Sequence, residues 1–201
     1  MKAMTQVIRL LGLAVLAIGL TSCNPMESES ESASMLVVER MQGTTVDEQI
    51  SDYVQSDVII QKAGEETGTI VADIGRATMS CRLLAPAPPL GSSGWNDVVV
   101  TRYVVSYTRV DGRNTPGVDV PYPFEGSLST VFKVGYSQEI AFVIVREVAK
   151  AEPPLIGLHT GGAEGVLQVT AKVEFYGHDM ANKSVKATGY IPIFFANYAN
   201  E

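Results

Sequence analysis

VLQVTAKVEFY, residues Val166–Tyr176, is the stretch on which the reading of the fold turns. Leu167, Val169, Ala171, Val173 and Phe175 fall on one parity, and Gln168, Thr170, Lys172 and Glu174 on the other. A strand sends successive side chains to opposite faces, so this segment has one dry face and one wet face. Val185, Ala187, Gly189, Ile191 and Ile193 repeat the pattern opposite Lys186, Thr188 and Tyr190. The polar link from His178 to Lys183 reads as the turn between them. A sheet with one dry face needs a second layer to cover it.

Six further runs read as strands: Leu36–Arg40, Asp57–Ile60, Thr69–Leu84, Asp97–Val110, Leu128–Val134 and Glu139–Val148. Within the third, Ile70, Ala72 and Ile74 share a face before Gly75, and Ala77, Met79, Cys81 and Leu83 share one after it, so Gly75 is expected to mark a bulge. Gly135-Tyr136-Ser137 is a short hairpin-like link. Thr44–Val54 also fits a short helix, with Thr45 as N-cap and Glu48 completing a capping box. The β-branched content of Ile140–Val148 favours a strand over a buried helix. The expected class is all-β: an antiparallel two-sheet β-sandwich of about eight strands. The order of strands over residues 35–201 resembles immunoglobulin-like or fibronectin-III-like domains. The Cys…Trp…Cys signature of antibody domains is missing, and Trp95 sits in a Gly/Ser loop.

The 201 residues are 46% hydrophobic, too apolar for a disordered chain and of a length for one domain. A net charge of −7 and a pI near 4.9 argue against a nucleic-acid partner. Two cysteines support neither a disulfide framework nor a Cys-based zinc site.

The N-terminus is an address. Lys2 and Arg9 precede the apolar run Leu10–Leu20, which is too short to span a bilayer and has the layout of a secretory signal peptide. Leu20-Thr21-Ser22-Cys23 then resembles the lipobox of bacterial lipoproteins. The resemblance implies cleavage before Cys23, a diacylglycerol thioether on its sulfur and acylation of its new amine. Two or more chains hold stably in a bilayer where one does not. Asn24, in place of Asp, leans the sorting toward the outer membrane if the host has one. The expected organisation is a signal peptide over 1–22, the lipidated Cys23 and a Ser/Glu-rich tether over 23–34, and the β-sandwich over 35–201. Losing the two bases of residues 1–22 takes the net charge from −7 to −9. Ten of the acids fall between Glu27 and Glu66, against Arg40 and Lys62 alone, so the acidity is expected close to the membrane. The segment Arg109–Phe124 (RVDGRNTPGVDVPYPF) is also similar to a segment of uncharacterised bacterial lipoproteins, a likeness that carries no activity with it.

Few residues suggest chemistry. In the loop from Asp111 to Phe124, Asp111, Asn114 and Asp119 are oxygen donors, while Arg109 and Arg113 suit an anion. The D-x-D-x-D-G calcium pattern is absent, so the loop is read either as a self-fixed connection or as a partner contact. Trp95 is either an exposed anchor for a partner or a cap on the sandwich edge. Neither His159 nor His178 has a His or Cys at zinc spacing, and both are expected in loops. Cys81 lies on an apolar strand face, where a thiol is inert. Phe194, Phe195 and Tyr198 are expected to close one end of the core. No catalytic motif, metal site or cofactor site is expected.

The functional expectation is a lipid-anchored, non-enzymatic binding or scaffolding module of the cell envelope, with an envelope protein or glycan as partner. A small carbohydrate-active or hydrolytic domain and a structural envelope component are the alternatives. Replacing Cys23 with Ser is expected to abolish incorporation of labelled fatty acid; persistent labelling contradicts the anchor.

Overall fold

The computed structural model describes residues 32–61, 68–85, 93–159 and 165–198. The expected signal peptide, Cys23, and the Pro-rich link at 86–92 lie outside these. Among the described residues nine strands form two sheets. They are β1 (Ser34–Thr44), β2 (Ile50–Ser51), β3 (Val54–Asp57), β4 (Asp73–Leu83), β5 (Val98–Thr108), β6 (Phe124–Phe132), β7 (Ser137–Val145), β8 (Val166–Asp179) and β9 (Ser184–Ala196). Two single-turn helices, α1 (Glu147–Lys150) and α2 (Ile156–His159), follow β7. One sheet has the order β2-β1-β4-β7 and the other β3-β9-β8-β5-β6, and one of the two is curled into a half-barrel.

The alternation in β8 and β9 holds as read. Leu167, Val169, Ala171, Val173 and Phe175 are buried, as are Val185, Ala187, Ile191 and Ile193. Their dry face meets that of β1, β4 and β7, and residues of both sheets share one core. Tyr103, Phe124, Phe142 and Phe175 pack edge-on or tilted at its centre, with ring centroids 5.2–6.5 Å apart. The layers approach closely where β1 crosses β9: a Cβ on Gly189 would lie 2.7 Å from Met41 Sδ. Cys81 is buried in this core, and burial pushes its thiol pKa up, away from the reactive thiolate.

Several expectations need correction. The Thr44–Val54 segment is a hairpin, not a helix: Glu48 has φ +60°, and Thr44 pairs with Ile50. β3 is not antiparallel, because Val54–Asp57 runs parallel to β9 along the sheet edge. β4 starts at Asp73, and its register shift falls between Asp73 and Ile74, just before Gly75. Ile74 therefore points outward, while Gly75 is buried under Phe142 and Ile144, where a Cβ would find Phe142 Cζ at 3.0 Å. The β7 segment ends at Val145, and the chain turns into α1. His178 is the penultimate residue of β8, and His159 closes α2; neither is in a loop.

Strand direction gives the body two ends. β1 begins, β4 ends, β5 begins, β6 ends, β7 begins, and β8 turns into β9 at the end where the chain comes in from residue 32 (the near pole). The connections after β1, β5 and β7 and the last residues of β9 lie at the other end (the far pole). Phe175→Ala is expected to cost about 3–5 kcal/mol in urea unfolding, whereas the wet-face change Gln168→Ala stays within about 0.5 kcal/mol. Equal costs at the two positions would contradict the assignment of faces.

Candidate functional site

The loop between β5 and β6 stands at the far pole. Its sharp path is held by its own polar residues. Arg109 Nη2 donates to Asp111 Oδ2 at 2.7 Å, and Arg113 Nε donates to the same oxygen at 3.0 Å. The Arg113 amide donates to Asp111 Oδ1 at 3.1 Å, and the Arg109 amide to Asn114 Oδ1 at 2.6 Å. Asp119 Oδ2 accepts from the Thr115 amide at 3.1 Å. The Arg109 guanidinium, and then Arg113, hold the Asp111 carboxyl well below the usual carboxylate range. Gly117 has φ +76° and sits under the Tyr122 ring, which a Cβ there would strike.

Arg109, Asp111, Arg113 and Asn114 are thus brought together, Asp119 fixes Thr115 farther along, and the bonds named here lie within the loop. What the loop presents outward is apolar. Val110 is 96% exposed, Val118 67% and Tyr122 53%. The sequence reading weighed the charged residues of this loop and passed over these three. Their signal was an apolar side chain next to a turn pair, at Val110-Asp111-Gly112 and at Gly117-Val118. Trp95 does not join them. It precedes β5, while Arg109 follows it, so an 11-residue strand of ~3.3 Å per residue separates them. Trp95 is 68% exposed in a 3₁₀ turn over Gly94–Asn96 at the near pole, so it does not cap the core.

Beside the far-pole loop lies a buried charged cluster that the sequence reading missed. Lys150 is 1% exposed. Its Nζ donates to the Asp57 carbonyl oxygen at 2.8 Å and to Asp73 Oδ1 at 2.9 Å. Ser56 Oγ donates to Asp73 Oδ2 at 2.5 Å. The Asp57 side chain accepts from the Tyr198 amide through Oδ1 at 3.2 Å, while its Oδ2 is buried and accepts no hydrogen bond among the described residues. Burial raises the Asp73 pKa, an effect partly offset by the Lys150 charge and the Ser56 hydroxyl. Nearby, Tyr107 donates to the Ile144 carbonyl at 2.7 Å, and burial pushes its phenol pKa up. The cluster ties α1 to the edge strand β3 and to the start of β4, at the seam between the sheets. Phe195 is in the core there, and Phe194 meets Tyr53 edge-on at 5.8 Å.

A third feature is a groove of about 450 Å³ on the outer face of β5, β8 and β9. The Arg102 guanidinium stacks 4.0 Å from the centre of the Tyr176 ring, and Lys186 Nζ lies 5.6 Å from it. His178 lines the same groove, with Nδ1 3.0 Å from the Asp179 carbonyl oxygen. Arg102 pairs with Glu125 at 3.2 Å and Lys186 with Glu174 at 3.1 Å, so its cations are already matched by carboxylates. Among the described residues no three His, Cys, Asp or Glu side chains converge on one point as a metal site requires.

Comparisons with family models, with curated proteins and with solved structures return no match. The site is read from its own geometry.

Lys150→Met strands the Asp73 carboxylate in an apolar setting, and a loss of about 3–5 kcal/mol is expected near neutral pH. Removing the cation raises the folded-state pKa of Asp73 further above its unfolded value. The folded variant then binds the proton more tightly than the unfolded chain, so the deficit shrinks as pH falls toward about 4. Urea unfolding of both proteins at pH 8 and pH 5 measures this; a deficit that does not change with pH contradicts it.

Proposed function

We propose that this protein is a lipid-anchored binding or scaffolding module of the bacterial cell envelope, tethered through Cys23 and contacting a partner protein with its far-pole loop. The anchor reading is carried by the lipobox and the signal layout. The module is immunoglobulin-like in the broad sense that a stiff two-layered body holds its loops at two ends.

One observation carries the contact reading. The β5–β6 loop spends its Arg, Asp and Asn side chains on fixing its own backbone and leaves Val110, Val118 and Tyr122 standing in solvent. A pre-ordered loop loses little conformational freedom on binding, and apolar or aromatic tips are the residues that gain most from being covered by a protein. Loops held on a rigid scaffold are common contact surfaces for the same reason.

A photo-reactive residue placed at Val118 in the full chain, expressed in its host, is expected to give one reproducible adduct with an envelope protein. Val110→Asp should reduce that adduct about tenfold or more, as loss of a central apolar contact does. The same photo-reactive residue at Tyr190, exposed on a sheet face, serves as the reference. Equal adduct patterns from positions 118 and 190 contradict the proposal.

A further inference from the structure

We infer that the near pole lies against the bilayer surface, so that the anchor and the folded body hold the membrane together. The inference rests on the lipid anchor proposed above and concerns a different part of the molecule from the partner loop.

The first observation is where the chain comes in. Ser32 Oγ donates to Asp179 Oδ2 at 2.6 Å and accepts from the Ser34 amide at 2.9 Å. Asp179 also accepts from the Ala181 and Lys183 amides, each at 2.9 Å. Burial alone would raise its carboxyl pKa, but these hydrogen bonds outweigh it and hold the pKa below the usual range. The incoming chain is thereby clamped to the β8–β9 turn. Nine residues separate this point from the membrane, Cys23 to Glu31. At ~3.3–3.6 Å per residue they cannot hold the clamp more than ~30 Å from the lipid, less than the length of the body.

The second observation is what surrounds the clamp. Leu84 is 56% exposed, Trp95 68%, Tyr136 69% and Met180 41%. They belong to three connections, β4–β5, β6–β7 and β8–β9, and hydrogen bonds tie these and the incoming chain into one rim. The Leu84 amide donates to the Ala33 carbonyl, the Gly135 amide to that of Cys81, and the Met180 amide to that of Asp97. Ser34 Oγ donates to the Asn96 carbonyl at 2.6 Å. Tryptophan and tyrosine beside aliphatic side chains suit the headgroup boundary, where one end of each ring is dry and the other wet.

The third observation is charge. Lys133 and Lys183 are the exposed charges of the near-pole turns. The acids there point inward: Asp179 into its clamp, and Asp97 to the Val134 amide at 3.0 Å. The exposed acids Asp47, Glu48, Asp52, Glu147 and Glu152 lie at the far pole, while Glu39 and Glu139, on β1 and β7, are paired with Arg82 and Arg76. The acids from Glu27 to Glu66 therefore divide: Glu27, Glu29 and Glu31 lie on the tether between Cys23 and Ser32, while Asp47, Glu48 and Asp52 are carried to the far pole. β1 carries the chain the length of the body before Asp47 is reached, and an anionic surface would attract Lys133 and Lys183 and repel the acids of the far pole.

Trp95 is the single tryptophan of the chain, so its emission reports on the near pole alone. The full chain, processed in its host and purified from membranes, is reconstituted into vesicles of three parts phosphatidylcholine to one part phosphatidylglycerol. Lipids brominated near the headgroup end of the acyl chain are expected to quench Trp95 about twofold or more, as for a ring ~5–10 Å into the boundary, while aqueous iodide quenches it weakly. In a Trp95→Phe background, Val118→Trp should show the reverse preference. A protein that co-sediments with vesicles while Trp95 is quenched by iodide and not by bromolipid overturns the inference and leaves the anchor intact. A chain that carries no acyl mass and stays in the supernatant overturns the anchor, and the inference with it.

Discussion

The dry face of β8 is the constraint on which the rest of the structure depends. Five consecutive inward residues, from Leu167 to Phe175, can leave water only if a second sheet covers them. β9 and β5 flank β8 and share its face, and β1, β4 and β7 supply the cover. A strand shifted by one residue would drive Lys172 and Glu174 into the aromatic centre, so register, layer and strand direction are fixed together. The same constraint makes the molecule polar in shape. A 14-residue strand runs the length of the body, and its turns can stand only at the two ends.

Each end then takes its character from how its polar groups are spent. At the far pole Lys150, Asp73, Asp57 and Ser56 close the seam between the sheets from inside, and the Asp111 clamp closes the neighbouring loop on itself. Charges matched internally have little left for a ligand, and the side chains that reach out are Val110, Val118 and Tyr122. At the near pole Asp179 and Asp97 are turned inward by the same logic. There Leu84, Trp95, Tyr136 and two lysines form the rim. An anchor at one end and a contact loop at the other is the division of labour we propose for these two poles.

Legibility followed the range of the interaction. β8 and β9 could be read residue by residue because burial alternates locally along them. Their partner β3 could not: its four residues carry no period, and only pairing with β9 makes them a strand. Thr44–Val54 carried a plausible capping box, yet the bend at Glu48 and pairing with β1 won over local helix propensity. Lys150 carries no sequence signal of burial: Glu147 and Glu152 stand close by in sequence, yet its partners Asp57 and Asp73 arrive from more than 75 residues away. In the β5–β6 loop the Arg and Asp residues were conspicuous in the sequence. Their orientation toward one another, which left the valines and Tyr122 outermost, is a property of the folded loop alone.

The height of each pole above the lipid tests this polarity most directly. Energy transfer from a dye to lipid-borne acceptors can be read for the processed, vesicle-bound full chain, labelled either at Ala181→Cys in the β8–β9 turn or at Val118→Cys in the β5–β6 loop. The account predicts strong transfer from position 181 and weak transfer from position 118, for a difference in height of roughly 40 Å set by the length of β8. Equal transfer from the two positions would contradict it.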